Sequence, residues 1–250
     1  MPVSFHVRGP LARTEGSEVD AAVRRAIVDL HRTDTLLSTW KADSEVSRLR
    51  RGELAPADCD PWIREMIDLC GQAKERTGGA FDADLPDADG IRRFNPTGLV
   101  KGWAIERVAR ALTAALPDHD VLVNAGGDIA VRCRRTDTPD WMLGIEDPAD
   151  RTRTLGCVPL RTGGMATSGT AARGAHILDP SSGRPVTELR SVTVVGPDLM
   201  WADVHATAAF VLGDACVDHL ARLADHLSFV VFGDGSTRIV TGTATPSRPD

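Results

Sequence analysis

The chain lacks the excess of basic residues that a nucleic-acid-binding surface needs. Its 250 residues include 29 lysines and arginines against 35 aspartates and glutamates, which gives a formal net charge of -6 with the histidines neutral. A surface that follows a phosphate backbone displaces counterions with clustered Lys and Arg side chains. The basic residues here are scattered along the sequence. We therefore expect no nucleic-acid partner.

Long apolar runs and paired cysteines are also missing. No stretch approaches the ~20 apolar residues of a membrane-spanning helix, and the N-terminal segment has no basic stretch followed by an apolar run of the export type. The five cysteines are widely spaced and include no Cys-x-x-Cys pair, which argues against zinc binding or disulfide exchange. We expect a cytoplasmic protein without a membrane span, whose thiols are reduced and mostly buried.

The hydrophobic pattern alternates between the periods of strands and helices. Strands are expected in VSFHVRG, on both sides of the Gly-Gly turn of VLVNAGGDIAVRC, in WMLGIED, GCVPLR and SVTVVG, and in a hairpin around Asp234-Gly235. Helices are expected after Ser17, after Asp60, beyond a loop in GLVKGWAIERVARALTAAL, in DLMWADVHATAAFVLG and in ACVDHLARLADHL. No linker or repeat interrupts the sequence. We predict a single α+β domain over residues 1–250, with a short N-terminal strand and a frayed C-terminal tail.

The segment DLMWADVHATAAFVLG carries one candidate site. Asp203 and Thr207 are four residues apart, so their oxygens project from one face of a helix. A carboxylate and a hydroxyl suit Mg²⁺, which usually keeps waters and shares its shell with substrate phosphates. An Asp favoured by the helix dipole and a Thr bonded to a backbone carbonyl explain the spacing without a metal, and spacing alone favours that explanation. The apolar surroundings indicate a buried Asp, which needs a partner.

Two turn-rich segments add further polar side chains. In NPTGLVKG, backbone amides and Lys101 are placed to meet a phosphate at the start of a helix, although an ordinary cap with a solvated lysine fits as well. In MATSGTAARGAHILDPSSGRPV, Arg173 and His176 lie between a Thr-Ser-Gly turn and an Asp-Pro-Ser-Ser-Gly turn. The sequence contains no P-loop, Ser-His-Asp elbow, dinucleotide fingerprint or zinc motif.

The order of the segments is more specific than any one of them. From about Ser38 to Gly213, eight segments in order resemble the motifs of the ApbE family of FAD:protein FMN transferases. They are STWKADSEVSRLR, GGAFDAD, GLVKGWAIERVA, VLVNAGGDIAV, WMLGIEDP, MATSG, HILDPSSGRPV and SVTVVGPDLMWADVHATAAFVLG. The resemblance implies a T-fold-like α+β architecture in which mixed or antiparallel sheets pack with helices. It also implies Mg²⁺-dependent cleavage of bound FAD, in which FMN passes to a Thr or Ser hydroxyl of an acceptor protein and AMP leaves.

The resemblance further implies roles for individual residues. Asp203 and Thr207 match the family's metal-binding Asp and Thr, and the backbone carbonyl of Gly98 matches the third protein ligand. His176 matches a histidine that we expect to help deprotonate the acceptor hydroxyl or to orient the pyrophosphate, so His176 and Asp203 are the expected catalytic residues. Arg173 stands near a position where the family commonly has a tyrosine, and we expect it to face a phosphate. The residues at FAD-binding positions are Trp40, Ala80, Phe81, Asp82, Asn95, Lys101, His176 and Ile177.

Two other functions remain open on the sequence. With water in place of the acceptor, the same site makes a metal-dependent FAD pyrophosphatase that yields FMN and AMP. A non-catalytic FAD-binding or storage protein would keep its FAD intact. The presence of Asp203, Thr207 and His176 together favours catalysis, since binding alone does not obviously require all three.

Overall fold

The computed structural model describes residues 1–10, 12, 16–86, 89–171, 174 and 176–243. Runs of helical elements are separated by runs of strands, the longest of which has six consecutive strands. Short 3₁₀ turns lie at Pro56–Asp58 and Gly213–Ala215. The α-helices are α1 Glu18–Leu37, α2 Glu45–Arg50, α3 Pro61–Arg76, α4 Thr97–Ala115, α5 Leu199–Leu212 and α6 Cys216–Ala221.

The largest element is a seven-stranded sheet in the order β1-β4-β5-β8-β9-β10-β11. Every neighbouring pair in it is antiparallel, and β2–β3 and β6–β7 form separate antiparallel hairpins. The expected α+β class with antiparallel sheets is thereby confirmed. The strands are β1 Val3–Arg8, β2 Asp84–Pro86, β3 Arg92–Phe94, β4 Asp120–Ala125, β5 Asp128–Arg132, β6 Trp141–Asp147, β7 Asp150–Leu160, β8 Thr162–Gly169, β9 Leu189–Gly196, β10 Leu227–Phe232 and β11 Thr237–Thr241.

The two faces of the large sheet are covered differently. Alternate residues of β4 show this, because Val121 and Val123 belong to the core shared with α1, α4 and α5. Leu122, between them, packs instead with Leu143 and Ile145 of the β6–β7 hairpin. Successive side chains of a strand point to opposite faces of its sheet. Helices therefore cover one face and the β6–β7 hairpin packs on the other.

Helix α5 lies between two hydrophobic cores. Ala206 and Phe210 pack toward the large sheet, whereas Val204 and Ala208 pack with α3 and the start of α4. A helix that is apolar all round is a buried one. Among the polar residues of α5, Asp203 and His205 are therefore buried in the interior.

Glu106 of α4 ties the start of α5 to the sheet. Its carboxylate is ion-paired with Arg132 of β5, accepts from Arg110 Nε at 2.7 Å and accepts from the backbone N–H of Leu199 at 3.1 Å. Desolvation alone raises the pKa of Glu106, but the charge of Arg132 and these hydrogen bonds outweigh it, so the net pKa is lowered. The carboxylate stays ionised and fixes α4 and α5 relative to each other.

Several local predictions are confirmed. Ser17 caps α1 by accepting from the backbone N–H of Asp20, and Asp60 caps α3 by accepting from that of Trp62, with Pro61 as the first helical residue. The hairpins around the Gly-Gly pair and around Asp234-Gly235 are also present.

Three local predictions are wrong. The expected Thr-Ser-Gly turn is the end of β8, because residues 167–169 pair in register with β9. The expected loop before α4 is helical from Thr97 onward, so Lys101 lies in the second turn of the helix. The helix expected over residues 215–227 stops at Ala221, since the chain turns at Asp225 with a φ of 59° and enters β10 at Leu227.

Candidate active site

A cleft with a volume of about 480 Å³ opens between the start of α4, the middle of α5 and the end of β8. This size lies in the range of sites for small molecules and cofactors. Arg173, which was also predicted to belong to the site, lies outside the described residues. All the other predicted site residues line the cleft, namely Trp40, Ala80, Phe81, Asp82, Asn95, Gly98, Lys101, His176, Ile177, Asp203 and Thr207.

Asp203 and Thr207 lie on the wall of the cleft that α5 forms. The Asp203 side chain is only 4% exposed. The Thr207 hydroxyl lies 3.0 Å from the Ser168 hydroxyl of β8, so its partner is on the sheet. The explanation without a metal predicts a backbone carbonyl of the same helix as the partner instead. A hydroxyl that donates its proton to Ser168 keeps its lone pairs for another ligand.

Helices α4 and α5 touch at the position of Asp203. A Cβ atom added to Gly102 would lie 3.0 Å from both Cβ and Oδ2 of Asp203 and 3.1 Å from Cα of Met200. Gly98 lies one turn earlier on α4 and also lines the cleft. The absence of a side chain at Gly102 therefore allows the carboxylate of α5 to approach α4 near Gly98.

A cluster of three charged groups lies beside this contact. Lys101 is ion-paired with Asp128, and its Nζ atom lies 3.8 Å from Oδ2 of Asp203. Asp128 is 2% exposed on its side chain and accepts from the backbone N–H of Thr167 at 3.2 Å. Two buried carboxylates and one ammonium thus lie together at the wall of the cleft.

The donor chemistry fits a hard divalent cation. A carboxylate from Asp203, a hydroxyl from Thr207 and a carbonyl from Gly98 are oxygen ligands of the type that Mg²⁺ and Mn²⁺ accept. Among the residues that the structure describes, no three His, Cys, Asp or Glu side chains form a metal-binding cluster. The set proposed here contains only one carboxylate, so it differs from such a cluster. Three protein oxygens leave coordination positions of the cation for waters and phosphate oxygens.

Asn95 and Phe81 shape the cleft at the start of α4. Asn95 Oδ1 accepts from the backbone N–H of Thr97 at 3.2 Å and from its hydroxyl at 2.6 Å, and thereby organises the start of the helix. A Cβ atom on Gly98 would lie 3.1 Å from the Phe81 ring. The aromatic ring therefore packs directly against the first turn of α4.

The Asp82 carboxylate joins two elements of the cleft wall. It lies 2.9 Å from Lys74 Nζ of α3 and 3.1 Å from Arg92 Nη2 of β3, and its side chain is 9% exposed. These two cations neutralise it in the structure. A direct contact between Asp82 and FAD stays a prediction.

His176 lies at the exposed side of the cleft. Its Nδ1 atom is 2.9 Å from the carbonyl oxygen of Gly174. Because a carbonyl only accepts, Nδ1 carries the proton in this contact, and Nε2 is then the nitrogen that accepts one. The histidine is thus held in the tautomer that a general base requires.

The mouth of the cleft carries an exposed indole. Trp40 is 93% exposed, although large aromatic side chains are usually highly buried. The neighbouring Thr39 hydroxyl lies 3.4 Å from that of Thr97 and so connects this segment to α4. An exposed ring at the edge of a cleft is suited to stacking on a flat ligand.

Two residues of this region were not predicted from the sequence. The sequence pattern gives Asp128 no role beyond the Gly-Gly turn and its flanking strand, and gives Ser168 no role beyond the Thr-Ser-Gly turn. A strand through residues 162–169 would have placed Ser168 opposite a buried helix. The available signal was the run of small residues that precedes it, which permits a helix to pack closely on the strand.

The fold and the cleft define an α+β protein with a cofactor-sized site between helices α4 and α5 and the end of strand β8. Residues 2–97 and 89–231 match the model of the ApbE family. The chain belongs to the ApbE family. Among the described residues, none of the helices has the length and apolar character needed to cross a membrane.

Curated relatives cover most of the chain. It is 26% identical over 281 residues to a FAD:protein FMN transferase of Klebsiella pneumoniae (strain 342), an alignment that covers 87% of this chain and 79% of the relative. A FAD:protein FMN transferase of Salmonella typhimurium is 25% identical over 259 residues, covering 81% of this chain and 74% of the relative.

Solved structures share the fold. The ApbE protein from Thermotoga maritima superimposes with a TM-score of 0.80 at 21% identity, covering 95% of this chain and 93% of its own. The apo form of the flavinyl transferase ApbE from Pseudomonas stutzeri gives a TM-score of 0.75 at 22% identity, covering 96% of this chain and 94% of its own.

Proposed function

We propose that this protein transfers FMN from FAD to a Thr or Ser hydroxyl of an acceptor protein and releases AMP. The observation that carries the proposal is the convergence in one cleft of predicted site residues from five separate parts of the sequence, namely residues 40, 80–82, 95, 98 and 101, 176–177, and 203 and 207. Membership of the ApbE family and the names of the relatives support it.

The proposed metal ligands are Asp203, Thr207 and the carbonyl oxygen of Gly98. Their support is the oxygen chemistry of the set and the close approach of α4 to Asp203 at Gly102. When bound, Mg²⁺ neutralises charge on the pyrophosphate oxygens of FAD. The buried setting of Asp203 strengthens its attraction for a cation, because screening by water is weak there.

His176 and Lys101 act on the reacting groups in this proposal. The Nε2 atom of His176 accepts the proton of the acceptor hydroxyl as its oxygen bonds to the FMN phosphorus. The bond from that phosphorus to the bridging oxygen breaks, and AMP leaves with the oxygen and its electron pair. Lys101 offers positive charge to the pyrophosphate from the α4 side of the cleft.

The test follows AMP release from FAD and Mg²⁺ by chromatography, with and without an acceptor protein. Asp203→Asn preserves the shape of the side chain and removes its charge, so it is expected to lose at least about 100-fold in AMP release while retaining FAD binding. Asp214→Asn, at an exposed position just after α5, removes the same charge and is expected to keep wild-type activity.

The other candidate functions give different products. AMP with free FMN in the absence of acceptor identifies a pyrophosphatase, for which the exposed position of His176 provides access to water. Bound FAD that stays intact with acceptor and Mg²⁺ identifies a binding or storage protein. Full AMP release by Asp203→Asn contradicts the metal assignment.

A further inference from the structure

The ion pair between Asp128 and Lys101 has no role in the reaction as described. Asp128 begins β5, directly after the Gly-Gly turn, whereas Lys101 lies on α4. Its carboxylate holds two groups at once, the ammonium of Lys101 and the backbone N–H of Thr167 on β8. Asp128 thus connects the helix that carries Lys101 to the two strands beneath it.

The position of the ammonium matters because Lys101 has a second carboxylate within reach. Its Nζ atom is in direct contact with Asp128 but 3.8 Å from Oδ2 of Asp203. An ammonium in full contact with Asp203 would compete with a divalent cation for the same oxygen. An ammonium held at 3.8 Å competes less strongly for that oxygen and still adds positive charge to the cleft.

We propose that Asp128 is a positioning residue that holds the Lys101 ammonium away from direct contact with Asp203 and so weakens its competition with a divalent cation for the Asp203 carboxylate. This inference rests on the proposed function, which assigns Asp203 to the metal. Asp128 contacts neither the metal nor FAD in this account. It acts only through Lys101, which lines the cleft while Asp128 is buried behind it.

The experiment is a Mn²⁺ titration of the FAD-free protein, with free Mn²⁺ measured by electron paramagnetic resonance. Asp128→Asn keeps the oxygen that accepts from Thr167 but loses the charge that holds Lys101. We expect the Mn²⁺ dissociation constant to rise about tenfold, because the ammonium moves to Asp203 as attraction from Asp128 is lost. Asp120→Asn removes another fully buried carboxylate of the same sheet, whose partners are the backbone of residues 134–135 and Thr138, and should leave the constant unchanged.

Lys101→Met separates positioning from the simple effect of a nearby charge. Without Lys101, Asp128→Asn loses only the direct attraction between Asp128 and the cation, so its effect should fall to about threefold or less. An equal fold-change with and without Lys101 overturns the proposal, as does an Asp128→Asn variant that binds Mn²⁺ like the wild type. A wild-type protein that binds no Mn²⁺ overturns the metal assignment itself and this proposal with it.

A structure of Asp128→Asn provides a readout that does not depend on metal binding. We expect Lys101 Nζ to move from 3.8 Å to direct hydrogen-bonding distance from Asp203 Oδ2. An ammonium that stays at its original position shows that Asp128 does not place it and contradicts the proposal.

Discussion

Adding a methyl group at Gly102 should disturb the site more than the fold. The new Cβ atom would lie 3.0 Å from Cβ and Oδ2 of Asp203 and 3.1 Å from Cα of Met200. These separations are several tenths of an ångström shorter than ordinary carbon contacts. Met200 Cα and Asp203 Cβ are fixed by the backbone of α5, so α4 and α5 must separate by a few tenths of an ångström and Asp203 is displaced with α5.

The magnitude follows from two opposing contributions. Overpacking a well-filled interior costs about 1–3 kcal/mol, whereas replacing glycine by alanine inside a helix gains about 1 kcal/mol. We therefore expect Gly102→Ala to lose about 0–2 kcal/mol in free energy of unfolding. AMP release should fall roughly tenfold or more, since small displacements of a reacting group are costly.

The assay combines urea unfolding with AMP release from FAD. Gly71→Ala is the matched control, because Gly71 lies inside α3 and a Cβ atom there meets no described heavy atom within 4 Å. That control should gain about 0.5–1 kcal/mol and keep full activity. If Gly102→Ala is as stable and as active as Gly71→Ala, the close contact of α4 with Asp203 is refuted.

Three further changes test other parts of the account. Ser168→Ala removes the 3.0 Å contact with the Thr207 hydroxyl. It should lower the free energy of unfolding by about 1 kcal/mol and reduce AMP release severalfold. Unchanged release shows that Ser168 does not orient Thr207. Burial lowers the pKa of His219, so the unfolded chain binds an extra proton below about pH 6.5 and stability falls on acidification by up to about 1.4 kcal/mol per pH unit. Between about pH 7 and about pH 5, the free energy of unfolding measured with urea should fall less steeply in His219→Gln than in the wild type, whereas the exposed control His31→Gln should fall as steeply as the wild type. Equal slopes in all three proteins contradict this. Trp40→Ala, at a position 93% exposed, should leave stability within about 0.5 kcal/mol yet weaken FAD binding roughly tenfold by fluorescence titration; unchanged affinity removes Trp40 from the site.

Much of the architecture follows from local sequence signals. Ser17 and Asp60 stand where side-chain oxygens cap a helix, and Pro61 takes the position at which a missing N–H costs nothing. The apolar character of α5 on all sides correctly indicated a buried helix. These elements are determined by residues within one or two helical turns of each other, so they can be predicted from the sequence without knowledge of the tertiary structure.

The remaining elements depend on partners that are distant in the chain. Residues 167–169 have the composition of a turn, and only their pairing with β9 makes them a strand. Likewise, Lys101 was placed near a phosphate from its position before a helix, but its contact with Asp128 depends on how α4 packs on β5. Sequence spacing predicted that Asp203 and Thr207 share a face, while the Ser168 partner of Thr207 required the tertiary structure.

The central claim is most directly tested by mass spectrometry of an acceptor protein incubated with this protein, FAD and Mg²⁺. The account predicts one FMN group bound through phosphate to a Thr or Ser of the acceptor, together with an equal amount of AMP. The adduct should be missing with Asp203→Asn. An unmodified acceptor beside intact FAD, or AMP accompanied only by free FMN, contradicts FMN transfer.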